Sequence, residues 1–165
     1  MRIPTLFAMG LIGFSTVLHA APITLTIDSA QTWEQYQLGQ TGLGMQSGKF
    51  TKTRGTIVLD KENQSGTVQV EIESPMLQNI YFQSSSLMFT GDKLISVAGT
   101  LTLMGISKPV TLLVTRFDND TNSNGKLIYT ANAETTIKLS DFDIKTYIPG
   151  FPDDVKLSLF IVASN

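Results

Sequence analysis

The chain of 165 residues lacks cysteine altogether, and its single histidine is His19, close to the amino terminus. Without cysteine no disulfide can staple the fold, so stability has to come from packing. Without histidine beyond that position, the rest of the chain also lacks the residues of Ser-His-Asp and Cys-His catalysis and the commonest ligands of zinc, copper and haem. Asp, Glu, Lys, Tyr, Ser and Thr remain for chemistry, and we expect no metal and no cofactor.

Charged residues are also few, at 16% of the chain, and the formal net charge is −2. The two signs are scattered and no basic cluster occurs, which argues against a nucleic-acid partner and against an anionic membrane surface. Beyond residue 18 no apolar run approaches the roughly 20 residues that a membrane span requires. We therefore expect no membrane span in the mature chain.

The first twenty residues have the pattern of a secretory signal peptide. Arg2 gives a short positive start, the run from Leu6 to Leu18 is mostly apolar, and small residues suited to a peptidase begin at Ala20. We expect a signal peptide at 1–20 and one periplasmic domain at 21–165, which is long enough to bury its own core. The alternative for the leader is an uncleaved membrane anchor.

Apolar and polar residues alternate along most of the remaining chain. Val68, Val70 and Ile72, for example, are separated by polar residues, which places them on one face of a β-sheet. Turn-forming residues separate such runs, so the pattern predicts an all-β fold, either an antiparallel barrel or a sandwich. A helical turn at 29–36 is a weak alternative, and 140–152 is predicted to be an irregular loop. The predicted strands are 22–28, 32–38, 48–60, 66–74, 79–90, 93–104, 108–117, 125–139 and 154–163.

Some of these strands have apolar residues on both faces. In the run from Val110 to Val114 both faces carry apolar residues, and the last strand has Leu157 and Leu159 on one face and Phe160 on the other. A one-sided sheet needs only one apolar face, so this pattern predicts a core on one side and a lined cavity or a partner on the other. The alternative is a sandwich strand covered by a loop.

Three stretches of the sequence resemble the YceI-like family. The first has Gly48-Lys49-Phe50 followed by the run from Gly55 to Asp60; the second and most specific runs from Gly99 through Lys108-Pro109-Val110 to Leu112; the third joins Ile137–Phe142 to Asp153–Leu157. Their order and spacing match across residues 22–163. The resemblance implies an antiparallel, up-and-down, lipocalin-like β-barrel of about eight strands that binds a polyisoprenoid or similar lipid.

The sequence departs from the family's pattern in the middle. A segment that is helical in the family is shortened here around Ser74–Asn79, and Asp143 stands where the family often has glycine. The shortened segment favours a second hypothesis, in which the cavity has collapsed and the chain is a structural or partner-binding domain of the cell envelope.

Carboxylates are the remaining candidates for chemistry, but their settings do not favour it. Glu71 and Glu73 lie on the polar face of a predicted strand, and Asp141 and Asp143 flank Phe142 next to the predicted irregular loop. A carbohydrate-cleaving site would need two carboxylates in an aromatic groove, and the chain has one Trp. We therefore predict that the chain is not an enzyme.

A binding protein remains the first hypothesis: a periplasmic carrier that holds an apolar lipid or isoprenoid inside its barrel. A homodimer is compatible with the sequence, and the family resemblance selects the ligand class. The large apolar residues expected to line the cavity are Trp33, Phe50, Phe82, Leu103, Leu112 and Phe142.

Overall fold

A computed structural model describes residues 20–41, 44–50, 52–74, 79–145 and 152–165. The predicted signal peptide therefore lies almost wholly outside the described residues, as does the centre of the shortened segment. The described residues form ten strands and one short 3₁₀ helix. The strands are β1 (Ile23–Ile27), β2 (Trp33–Thr41), β3 (Gly44–Lys49), β4 (Lys52–Asp60), β5 (Ser65–Glu73), β6 (Ile80–Thr90), β7 (Lys93–Leu103), β8 (Ile106–Thr121), β9 (Leu127–Lys138) and β10 (Asp154–Ser164), and the 3₁₀ helix is Leu139–Phe142.

The strands close into an antiparallel barrel. From β4 to β10 each strand pairs with the next along the chain, and β1 pairs with both β4 and β10, which completes a ring of eight strands. The hairpin of β2 and β3 extends the wall, because β2 also pairs with β10. The prediction of an all-β, up-and-down barrel of about eight strands is therefore confirmed, and the sandwich alternative is not observed.

One side of the barrel is kinked. β1 and β2 lie end to end along β10, with Ile27 opposite Ala163 and Trp33 opposite Phe160. The turn between them is held by Asp28, whose side chain accepts a hydrogen bond of 2.9 Å from the Ala30 backbone NH. The helical turn considered for 29–36 is therefore a non-helical turn followed by a strand.

The strands that pair with β2 and β1, namely β3 and β4, are also separated from each other by a break. β3 pairs with β2, whereas β4 pairs with β1, so the predicted single strand 48–60 is two strands that meet near Phe50. The backbone NH of Phe50 donates a hydrogen bond of 3.1 Å to the carbonyl oxygen of Glu34 and bridges the interruption. We refer to β1–β4 as the kinked wall and to β5–β9 as the regular wall.

The ends of the predicted elements also differ in detail. β8 continues to Thr121, because residues predicted to form a turn pair with β9 from Leu127 onward. Met104 and Gly105 both have positive φ, at 48° and 81°, which gives the tight turn that joins β7 and β8. The predicted irregular loop 140–152 begins instead with the last three residues of the 3₁₀ helix.

The core lies inside the barrel, where alternate residues of each strand meet. Leu25, Leu59, Ile72 and Leu101 are each at most 7% exposed and belong to one continuous apolar cluster. Within the described part of the chain, no helix has the length and apolarity needed to cross a membrane.

Candidate ligand-binding cavity

The barrel interior contains a large apolar cavity at the end close to the 3₁₀ helix, with a volume of about 320 Å³. We call it the larger chamber. Its polar lining residues are Tyr36, Lys49, Ser74 and Thr135. The other lining residues are apolar: Phe50, Val70, Ile72, Ile80, Phe82, Leu101, Leu103, Val110, Leu112, Ile137, Leu139, Ile144, Val155, Leu157 and Leu159.

A second cavity of about 70 Å³ occupies the other half of the interior, and we call it the smaller chamber. Leu25, Leu59 and other apolar residues line it. Val70, Leu112 and Leu159 line both chambers, so the two are neighbours along the barrel axis. The interior therefore offers one elongated apolar space in two parts, suited in shape to a chain rather than to a compact polar molecule.

Strand alternation explains the lining but corrects the interpretation of the two-faced strands. On β8, Val110 and Leu112 line the larger chamber, whereas Leu113 points outward and is 57% exposed. On β10, Phe160 points outward and stacks on Trp33 at 5.7 Å between ring centroids. Core and cavity therefore share the inner face, and the apolar residues of the outer face are exposed or cover one another.

Four of the six residues predicted from the sequence line the larger chamber: Phe50, Phe82, Leu103 and Leu112. They come from four different strands or their junctions, and the barrel brings them together. Their part in ligand binding stays a prediction.

The other two predicted residues do not line either chamber. Trp33 is 40% exposed on the outer wall, because the register with β10 places Trp33 opposite the outward Phe160. Lys49 Nζ lies 5.4 Å from the centroid of the Trp33 ring on that outer face. Phe142 is only 2% exposed, but it lies in the 3₁₀ helix and packs into the core cluster.

Sequence reasoning missed Tyr36, an aromatic residue of the kinked wall that lines the larger chamber. Its ring lies across Gly48, where an added Cβ would come within 2.3 Å of the Tyr36 hydroxyl oxygen. The ring centroid is 5.4 Å from that of Phe50. Gly48 thus leaves room for the Tyr36 ring beside Phe50. The cross-strand pairing of Tyr36 with Gly48 is the signal that the sequence alone did not reveal.

Sequence reasoning also missed Glu34, a carboxylic acid on the inner side of the barrel that is only 3% exposed. The Thr53 hydroxyl donates a hydrogen bond of 2.5 Å to Glu34 Oε2, and Thr53 is itself 1% exposed. Among the described residues, Glu34 Oε1 is the one buried side-chain oxygen or nitrogen that has no hydrogen-bond partner. Burial raises the pKa of Glu34 above its ordinary value, and the bond from Thr53 only partly opposes this effect.

The other carboxylates lie in ordinary surface settings. Arg54 forms ion pairs with Glu71 and Glu73, which face solvent as expected from their parity. Ser140 donates hydrogen bonds from both its backbone NH and its hydroxyl to Asp153, and these bonds lower the pKa of that carboxyl. In the portion of the chain that the structure describes, no three acidic, histidine or cysteine side chains are grouped to hold a metal ion.

Comparison with known proteins gives a consistent match. The family model described as YceI-like domain matches residues 75–163, just over half of the chain. A UPF0312 protein of Pseudomonas putida is 42% identical over 64 residues, which are 39% of this chain and 33% of that relative. The match thus spans about a third of the relative's length.

Solved structures share the fold at low sequence identity. BcnA of Burkholderia cenocepacia superimposes with a TM-score of 0.65 and 21% identity over 82% of this chain and 98% of that chain. A polyisoprenoid binding domain from Saccharophagus degradans gives a TM-score of 0.56 and 11% identity over 84% and 97%. The YceI protein of Campylobacter jejuni gives 0.55 and 17% over 70% and 82%. At these identities the likeness concerns the fold.

Proposed function

Because the chain belongs to the YceI-like family, we propose that it binds an apolar, lipid-like molecule, a polyisoprenoid or a similar chain, inside the barrel. The observation that carries the proposal is the larger chamber of about 320 Å³ with its almost entirely apolar lining. This volume falls within the range of small-molecule sites, roughly 300–1,000 Å³. The structural neighbour from Saccharophagus degradans, described as a polyisoprenoid binding domain, supports this ligand class.

Binding in such a chamber is driven by removing the ligand from water. Each buried methylene contributes roughly 0.8 kcal/mol, so a chain of eight methylenes contributes on the order of 6 kcal/mol before the entropy of ordering is subtracted. Phe82 and Leu103 supply smooth apolar surface and need no hydrogen bonds from the ligand. This lining accepts chains of differing length and branching, and it does not by itself choose between them.

We propose a binding role without catalysis. The acidic side chains of the outer wall, such as Glu71 and Glu73, take part in ion pairs with Arg54 rather than converging on the chamber. The polar groups that the larger chamber presents are a tyrosine and two hydroxyl residues spread around an apolar lining, since the Nζ of Lys49 lies against Trp33 on the outer face. The arrangement suits holding a molecule and releasing it unchanged.

We further propose that the carrier acts in the periplasm. The signal-peptide pattern at residues 1–20 supports this location. A long prenyl or acyl chain is poorly soluble in an aqueous compartment, and a closed barrel shields it between donor and acceptor membranes.

Native mass spectrometry of the chain, purified gently from a bacterial periplasm, tests the proposal. We expect an additional mass that is lost on denaturation and recovered in an organic extract, where the lipid is identified. A bare protein mass, with no uptake of added prenyl or acyl lipids, would contradict the carrier function. That result would favour a structural or partner-binding domain of the envelope, as the shortened segment suggested.

A further inference from the structure

The buried carboxyl of Glu34 lies at the level where the two chambers meet. Its cross-strand partner is Leu159, which lines both chambers, and directly paired residues of a sheet point to the same side. The next inward residue of β2 is Tyr36, which lines the larger chamber. On the opposite side, the smaller chamber reaches Ile57 of β4. Glu34 and Thr53 therefore occupy the stretch of the kinked wall between the two chambers.

The surroundings of Glu34 satisfy only half of its carboxyl group. Oε2 accepts the bond from Thr53, whereas Oε1 is shielded from water and has no partner among the described residues. Buried polar atoms without partners are rare in proteins, and each calls for a specific reason such as an unseen ligand. Arg54, a nearby cation of β4, points outward and is engaged by Glu71 and Glu73.

A purely structural role explains part of this arrangement. The bond between Thr53 and Glu34 ties β4 to β2 at the point where the ladders change partner. That tie uses Oε2 alone and leaves Oε1 without a partner among the described residues. The tie therefore does not account for a carboxylic acid facing an apolar interior.

We propose that Glu34 is the specificity-determining contact of the cavity: its Oε1 accepts a hydrogen bond from an uncharged donor group, such as a hydroxyl, carried by the bound lipid. The inference rests on the proposed function and names the ligand class more closely. The site selects an uncharged amphiphile over a chain without a donor and over an anionic chain. The polar end of the ligand lies at mid-barrel and its tail extends through the larger chamber.

Two physical effects support this selection. Glu34 is not itself a lining residue of either chamber, but its side chain has three rotatable bonds, so a change of rotamer on ligand binding would carry Oε1 toward Leu159 and the chambers. An anionic head group placed beside this carboxyl would lose its hydration without a compensating cation, because Arg54 is engaged on the outer face and the Nζ of Lys49 lies against Trp33 there. Such burial is strongly unfavourable. The hydroxyl of a lipid supplies the missing partner without adding charge.

Competition binding with matched sixteen-carbon ligands tests the inference on the full mature chain. The ligands are hexadecanol, its methyl ether, which lacks the donor, and hexadecanoate, each displacing a fluorescent fatty-chain probe at neutral pH. We expect the wild type to bind hexadecanol about tenfold more tightly than the ether, since a tenfold ratio corresponds to about 1.4 kcal/mol, the value of one hydrogen bond. Hexadecanoate is expected to bind more weakly than hexadecanol.

Two variants separate specificity from stability. In Glu34→Met, which keeps the length of the side chain without its oxygens, the ratio of alcohol to ether affinity should fall to about one. In Glu34→Gln the ratio should stay close to that of the wild type, because the Thr53 hydroxyl can accept a hydrogen bond from the amide NH2 and so leave the one carbonyl oxygen to accept from the ligand. An unchanged ratio in Glu34→Met would overturn the inference, and so would equal binding of alcohol and ether by the wild type, which is decisive even if a variant does not fold.

The outcome also distinguishes this inference from the proposed function. If the wild type binds alcohol and ether equally well, the cavity is a lipid site but Glu34 does not select its ligand. If the wild type binds none of the three chains or the probe, the carrier function fails and the inference fails with it.

Discussion

The regular wall and the kinked wall of the barrel use the same alternation of residues but differ in what they place inside. On the regular wall the inward residues are mostly apolar, as at Val70 and Ile72; the polar ones are Thr135, which lines the larger chamber, and Ser84, which lies at a bulge between β6 and β7. On the kinked wall the buried set includes Glu34 and Thr53. The fully buried polar residues thus occur where the strand ladder is interrupted.

The interruptions explain why polar groups are tolerated at these positions. The Ser84 hydroxyl accepts a hydrogen bond of 2.7 Å from the Val68 backbone NH. The Thr32 hydroxyl likewise accepts a hydrogen bond of 3.0 Å from the Val162 backbone NH. In both places a side chain supplies a bond that a continuous ladder would have made through its backbone. Glu34 is the exception, because its Oε1 has no partner among the described residues, and this difference is the basis of the role proposed for Glu34.

The largest effect is expected from a charge placed inside the regular wall. Phe82 lines the larger chamber, and Phe82→Asp both removes an aromatic ring and buries a carboxylate, so it should cost more than about 3 kcal/mol in unfolding free energy. Lipid retention should be lost with it. Urea unfolding and lipid extraction measure the two effects.

Leu113→Asp is the matched control on the outer face, because Leu113 is 57% exposed. It should change the unfolding free energy by about 1 kcal/mol or less and leave lipid retention intact. Equal losses in the two variants would show that the inner and outer faces of the regular wall do not differ in the way described.

A smaller effect is expected from filling the space at Gly48 on the kinked wall. In Gly48→Ala the new Cβ would overlap the ring of Tyr36, so the variant should lose about 1–2 kcal/mol of unfolding free energy. In a Tyr36→Ala background the same substitution should cost almost nothing, because the overlapping ring is gone. A double-mutant cycle by chemical denaturation measures the coupling, and additive effects would contradict the contact.

The pH dependence of stability should distinguish the kinked wall through Glu34. Because burial raises the pKa of Glu34 in the folded chain above its ordinary value of 4.5, the folded state holds the proton more tightly than the unfolded state. The contribution of Glu34 to stability is therefore fully present below that value and is lost as pH rises through the folded-state pKa. As far as Glu34 is concerned, the unfolding free energy should thus decrease as the pH is raised toward neutrality.

Glu34→Gln isolates this contribution, since it removes the titration but keeps the shape. The unfolding free energy of the wild type minus that of the variant should therefore decrease as the pH is raised toward neutrality. Asp28 and Asp153, whose pKa values are lowered, affect both proteins alike at lower pH. A difference that does not vary with pH would contradict the burial of Glu34.

The smallest effect is expected from an ion pair on the outer face. Lys156 Nζ lies 2.6 Å from Glu134 Oε2, but the two side chains are 48% and 38% exposed. Exposed ion pairs contribute about 0–1 kcal/mol, so Lys156→Met should leave the thermal unfolding midpoint almost unchanged. A loss comparable to that of Gly48→Ala would mean that the outer surface matters as much as the interior.

Much of the fold follows from the sequence because alternation is a local signal. Val68, Val70 and Ile72 predict their strand and its inner face directly, and the structure places all three on that face. The same signal failed for Trp33. Adjacent residues of a strand point to opposite faces, so either Trp33 or the pair Glu34 and Tyr36 can face inward, and hydrophobicity alone favours the tryptophan.

Long-range register decided that competition. Pairing of β2 with β10 sets Trp33 against Phe160 and Glu34 against Leu159, and neither partner is near in the sequence. The break at Phe50 is equally non-local, because it arises where β3 and β4 pair with different strands. The kinked wall was therefore the part of the candidate site that alternation could not predict.

The most direct test of the central claim locates a bound chain within the barrel. A crystal of the protein with a long-chain alcohol brominated at its far end would reveal the bromine by anomalous scattering. We expect a peak inside the larger chamber, among Leu103, Ile137 and Leu157. A peak on the outer wall beside Trp33 and Phe160, with the chamber unchanged, would contradict binding inside the barrel.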